Sequence, residues 1–103
     1  MIKKVFDMYS DSGHGWLKVK IDLLQKMDIA DKITYYSYEK GDYAYLEEDL
    51  DLSTFSHAYE DKFGVKIKFR EHYSECSKIR RYPSYNKNKH VLCEVKWLWL
   101  QKK

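Results

Sequence analysis

Four side chains in the second half of the chain are of metal-ligating type. His72, Cys76, His90 and Cys93 are spaced as His-x3-Cys, a gap of thirteen residues, then His-x2-Cys. Imidazole and thiolate suit zinc, which takes four such donors in a tetrahedron. Each pair would have to be held together by a tight turn, whereas "HVLCEV" alternates as a strand whose positions 90 and 93 point to opposite faces. No metal and no cofactor are therefore expected. His14 lies between two glycines in "DSGHGW", a setting in which an imidazole can serve as a general base or a loop can hold an anion. No nucleophile can be paired with it, so the stretch is read as an inter-strand turn with glycines at positive φ. Glu47, Glu48, Asp49 and Asp51 do not suit a magnesium site, because successive residues at a strand end point alternately to opposite sides. They are read as charge at the start of a following helix, favourable to its dipole. No catalytic residue is assigned, and an enzyme is not expected.

Two surfaces remain as candidates for binding. The stretch "ITYYSYEKGDYAYLEEDLD", Ile33 to Asp51, crowds five tyrosines into eleven residues before a run of acids. A two-residue turn at Lys40 and Gly41 would set Tyr38 opposite Tyr43, Tyr36 opposite Tyr45 and Tyr35 opposite Leu46. Alternation then puts Ile33, Tyr35, Ser37, Ala44 and Leu46 on a core face, with Tyr36, Tyr38, Tyr43 and Tyr45 on the other. Tyrosines offer rigid amphipathic contact area, so Tyr36, Tyr38, Tyr43 and Tyr45 with Glu47, Glu48 and Asp49 form a protein-docking surface suited to a basic partner. The rival is "SKIRRYPSYNKNK", where Lys78, Arg80 and Arg81 are interleaved with Tyr82 and Tyr85. Cations for phosphates and rings for bases are what single-stranded nucleic acid requires. The structural alternative for that loop is that its arginines pair with acids of the same domain.

The elements that must position these residues follow from periodicity and turn chemistry. "IKKVFDMYS" and "WLKVKI" read as strands joined by the glycine loop, and Leu23, Leu24 and Met27 fit one face of a short helix. "KITYYSY" begins the tyrosine hairpin. Leu52, Phe55, Ala58, Tyr59 and Phe63 recur at helical spacing, with Asp51 or Ser53 as cap and Gly64 as the stop. "VKIKFREHY" alternates apolar and basic residues as a strand does, and "HVLCEVKWLWLQ" reads as a buried central strand. The fold expected is one α+β domain over residues 1–103, a mostly antiparallel sheet of five to six strands with two helices on one face.

Composition bounds the rest. At 103 residues and 44% hydrophobic content the chain can bury a core without disulfides, and Cys76 and Cys93 are taken as reduced. Its longest apolar run is far below the roughly 20 residues that cross a bilayer, so a cytoplasmic protein with no membrane partner is expected. The net charge of +3 conceals an asymmetry: 8 Lys and Arg against 13 Asp and Glu in residues 1–62, and 11 against 3 in residues 63–103. Halves that neutralise each other within one fold are the simplest reading. The stretches "DSGHGWLKV", "IADKITYYSYEKGDYAYLEEDLDL" and "SKIRRYPSYN" resemble a group of small proteins encoded by bacteriophages, prophages and plasmids. That resemblance assigns no catalytic residues. It implies an accessory protein that works by binding a host protein, as inhibitors of restriction or CRISPR effectors do. The function expected is thus a non-enzymatic protein-binding module of a mobile element, with nucleic-acid binding as the alternative and a homodimer open.

Overall fold

The computed structural model describes residues 5–75 and 77–90. Strands β1 (Val5–Ser10), β2 (Gly15–Lys20), β3 (Tyr38–Lys40), β4 (Tyr43–Glu47) and β5 (Lys68–Tyr73) form one sheet in the order β3-β4-β2-β1-β5. Helix α1 (Ile21–Lys26) follows β2 without a loop, α2 (Asp51–Phe63) joins β4 to β5, and α3 (Lys87–His90) is a single turn. The architecture is α+β. The sheet is mixed rather than purely antiparallel, because the α2 crossover carries the chain past β2 and β1 and lands β5 on the far side of β1 and parallel to it, Phe6 opposite Phe69 and Tyr9 opposite His72.

One face of the sheet carries the main core. Phe6 and Met8 of β1, Leu17 and Val19 of β2, and Ala44 and Leu46 of β4 alternate onto it, where Leu24 of α1 and Phe55 and Tyr59 of α2 cover them. Phe6 meets Phe55 and Tyr59 edge-on at 5.2 and 5.5 Å. Burying each such ring stabilises the fold by roughly 1.5–3 kcal/mol. The helical spacing of Phe55, Tyr59 and Phe63 produces this packing, and Gly64 ends α2 at φ 70° with its N–H on the Glu60 carbonyl.

Several expectations need correction. Residues 33–37 are not a strand: they form a turn that follows a 3-10 segment at Ala30–Lys32, leaving β3 only three residues long. The hairpin turns at Gly41 and Asp42, so Lys40 opposes Tyr43 and Tyr38 opposes Tyr45. Gly41, at φ 61°, takes the first of the two central positions, where only a residue at positive φ matches the twist of the strands. This two-residue slip changes the partners and preserves the faces. Gly13 and Gly15 are not at positive φ; they are small for proximity instead, since a Cβ on Gly13 would lie 3.1 Å from Arg80 Nη2 and one on Gly15 2.7 Å from Met8 Cε. All six residues of β5 are exposed, whereas Val65 and Ile67 before it are partly buried against the core. The expected strand at 90–101 lies, beyond His90, outside the described residues, as do Cys76 and Cys93.

Candidate functional site

The other face of the sheet is covered by residues 77–82. Ile79 and Trp16 are each 2% exposed and pack with Tyr45, with Tyr9, Tyr38, Tyr43 and Tyr82 around them. The two surfaces the sequence set against each other are therefore in contact: the basic segment lies on the tyrosine face. Arg80 fastens it. Its Nε and Nη2 reach the two carboxylate oxygens of Asp11 at 2.5 and 2.9 Å, and its guanidinium lies 5.4 Å from the Trp16 ring centre. Asp11 also accepts the Gly13 and His14 N–H groups at 3.0 Å, and Arg80 with these donors holds its carboxyl well below the usual range. "DSGHG" is thus an aspartate-stapled turn.

A second carboxylate organises the tyrosine turn. Asp51 is fully buried at the first position of α2 and does not cap that helix. It reaches across to residues 34–37, accepting the Thr34 N–H at 3.1 and 3.2 Å, the Thr34 hydroxyl at 2.7 Å and the Ser37 hydroxyl. Ser37 in turn accepts the Glu47 N–H at 2.9 Å, tying the turn to β4. Glu47 closes the turn that leads into α2, its carboxylate accepting the Asp49 and Leu50 N–H groups at 2.8 and 3.1 Å. Between Thr34 and Ser37 the chain has no inward place for Tyr35 and Tyr36. Both stand in solvent, 67% and 58% exposed, with rings stacked at 4.6 Å and 28°. The Tyr36 phenol is pushed up by its hydrogen bond with the Tyr35 hydroxyl.

The stacked pair is a ridge between two hollows. On one side Tyr36 joins Trp16, Tyr38, Glu47 and Asp49 around a space of about 440 Å³, which His14, Leu50 and Arg80 also line. On the other, Tyr35 and Tyr36 border a space of about 590 Å³ reaching to Ser84, Asn86 and Asn88. Of the predicted docking residues, Tyr36, Tyr38, Glu47 and Asp49 come together here. Tyr43 lies elsewhere under the Lys18 ammonium at 4.2 Å, Tyr45 is 8% exposed with its phenol pushed up to about 12 by burial, and Glu48 is exposed at the end of β4. Tyr35, assigned to the core by alternation, is missed, as is Trp16. The flanking hydroxyls of Thr34 and Ser37 were the available signal, since such side chains favour turns over strands.

The alternative set is dispersed. Tyr85 is 2% exposed and donates its hydroxyl to the Ala30 carbonyl at 2.6 Å, Arg80 is held by Asp11, and Tyr82 is half-buried, which leaves Lys78 and Arg81 outside. Nor do the two histidines of the metal spacing meet. His72 stacks on Tyr9 and bonds Asp7 on β1, next to β5, while His90 bonds the buried Glu39 of β3 at the opposite edge. Among the described residues no helix is long and apolar enough to cross a membrane. No family model matches the chain, and neither a curated protein nor a solved structure does.

Proposed function

We propose that this chain is a non-enzymatic binding module of a mobile genetic element that docks on a host protein and inhibits or modulates it. The contact surface of this reading is the Tyr35–Tyr36 ridge and the acid-walled hollow beside it. One observation carries it: two exposed tyrosines stack on a turn that a fully buried carboxylate immobilises. Exposing about two-thirds of two large rings discards the roughly 1.5–3 kcal/mol that burial of each would return, and fixing them in place removes the ordering cost that binding otherwise incurs. A core or a solvated loop has no use for that combination. Rigid tyrosines flanking a hollow are the form that interface anchors take.

The chemistry of the hollow favours a basic side chain from the partner. Trp16, Tyr36 and Tyr38 supply aromatic faces and Glu47 and Asp49 supply carboxylates, while the charge of Arg80 is already matched by Asp11. The likeness of "TYYSYEKGDYAY" and its neighbouring stretches to proteins of mobile elements supports a host protein, a defence enzyme among the candidates, as that partner. The test is affinity capture from nuclease-treated host lysate, followed by titration calorimetry with the purified partner. Tyr35→Ala and Tyr36→Ala are each expected to weaken binding by about 2 kcal/mol, near 30-fold, with an unchanged fold by circular dichroism. Equal capture by a folded Tyr35→Ala/Tyr36→Ala double variant would sink the proposal.

A further inference from the structure

The outer face of the sheet contains another hollow, separate from the tyrosine ridge and about 330 Å³ in volume. Tyr9 of β1, Lys18 of β2 and Tyr45 of β4 form its floor, and Ser77, Lys78 and Tyr82 of the covering segment form its wall. Its composition is one-sided. Lys18, whose ammonium lies over the Tyr43 ring at 4.2 Å, and Lys78 line it together with five hydroxyl-bearing residues, the fifth being Ser74, and no carboxylate does among the described residues. Asp7, the acid beside Lys18 across the strand pair, is occupied by Arg70 at 2.7 Å and His72 at 2.9 Å. No carboxylate of the described residues pairs with Lys18 or Lys78. A concavity rich in donors, cationic at two points and without an internal anion is complementary to a phosphate.

Three rings and the Ile79 side chain make up the apolar part of the lining. Tyr45 meets Tyr82 at 5.2 Å and Tyr9 at 6.4 Å, and Tyr9 is braced from behind by the stacked His72 ring at 4.8 Å. Rings beside cations on a sheet surface suit a base attached to a phosphate. The volume sits at the low end for ligand sites, enough for one nucleotide and too small for a duplex. We infer that this hollow binds a nucleoside monophosphate unit, its phosphate on Lys18 and Lys78 and its base against Tyr9 and Tyr82, either as a free nucleotide or as one link of a single strand. The inference uses none of the ridge residues and stands or falls apart from the docking surface.

The experiment is a titration of the intact chain, followed by amide chemical shifts, with AMP, UMP, an eight-residue oligothymidylate, inorganic phosphate and phosphotyrosine. Binding of the mononucleotides or the oligonucleotide is expected to move residues 9, 18, 45 and 77–82. It should weaken at least tenfold in Lys18→Ala/Lys78→Ala and in the single variant Lys78→Ala by a smaller factor, the latter safe for folding because Lys78 is exposed. Mononucleotide affinity equal to that of the oligonucleotide identifies the free nucleotide as the source. Preference for the oligonucleotide identifies a strand, with log K falling against log salt at about −0.7 for the one phosphate held by the two lysines. The inference is overturned if neither binds at millimolar concentration, if the lysine variants bind unchanged, or if phosphotyrosine binds more tightly than any nucleotide.

Discussion

Asp51→Ala isolates the bolt beneath the tyrosine turn. The carboxylate is 0% exposed and accepts from three donors: the Thr34 N–H, the Thr34 hydroxyl and the Ser37 hydroxyl. Hydrogen bonds to a charged acceptor contribute about 1.5–3 kcal/mol each, and donors orphaned in a buried site cost about 1–3 kcal/mol. The three donors share one acceptor group and Thr34 is only half-buried, so the contributions overlap. The loss expected is roughly 3–5 kcal/mol, out of a total near 5–15 for a domain of this kind. With a urea slope of about 1.5 kcal/mol/M this moves the unfolding midpoint down by about 2–3 M. Asp51→Asn keeps one acceptor oxygen and should lose about 1–2 kcal/mol. Below its own transition the Asn variant should also bind the partner more weakly, although residue 51 is buried away from it, because the ridge is less firmly set. A midpoint shift under about 0.5 M for Asp51→Ala would refute this account of the turn.

Three further outcomes are expected. Phe55→Ala removes a fully buried ring from between Phe6 and Tyr59 and should cost about 3–5 kcal/mol in urea unfolding. Gly64→Ala adds a methyl that meets nothing within 4 Å, so its cost of about 1–2 kcal/mol is that of the left-handed backbone at φ 70° alone; an unchanged midpoint would contradict it. Hydrogen bonds from Arg70 and His72 lower Asp7 to about 2 from 3.8, so its contribution is present above about pH 4 and lost as pH falls through 2. Acid titration of Asp7→Asn should lack that part of the loss, and identical acid profiles for the two proteins would rule the contribution out.

Alternation and helical spacing were enough to find Ala44 and Leu46 on the core face, the α2 stripe of Phe55 and Tyr59, and the stop at Gly64, because each depends on residues near in sequence. The loss of the expected strand depends on residues far apart. Ile33 to Ser37 has the β-branched and aromatic content of a strand, and what bends it is Asp51, 14 residues beyond Ser37 and 17 beyond Thr34. Register slipped by two because Gly41 serves as the first central residue of the turn and not the second. The site was half legible for the same reason. Tyr36, Tyr38, Glu47 and Asp49 are local to the hairpin, whereas Trp16 and Arg80 reach the hollow from other strands and segments.

Charge explains why working surfaces are left where they are. Among the described residues, the basic C-terminal part of the chain is attached to the acidic part at three places: Arg80 on Asp11, Arg70 and His72 on Asp7, and His90 and Lys89 on Glu39. Asp11 and Glu39 are buried, so these two attachments persist at salt concentrations that screen exposed pairs. They fix residues 77–90 across the sheet and consume the arginine that a nucleic-acid loop would need most. Among the charges outside these attachments, the carboxylates of Glu47 and Asp49 lie beside the tyrosine ridge, and Lys18 and Lys78 line the outer-face hollow. A surface whose charges are spent inside the fold has little left with which to choose a partner. Under the two proposals made above, a basic protein segment and a phosphate-bearing ligand use different lining residues, so simultaneous binding of both is the expected outcome.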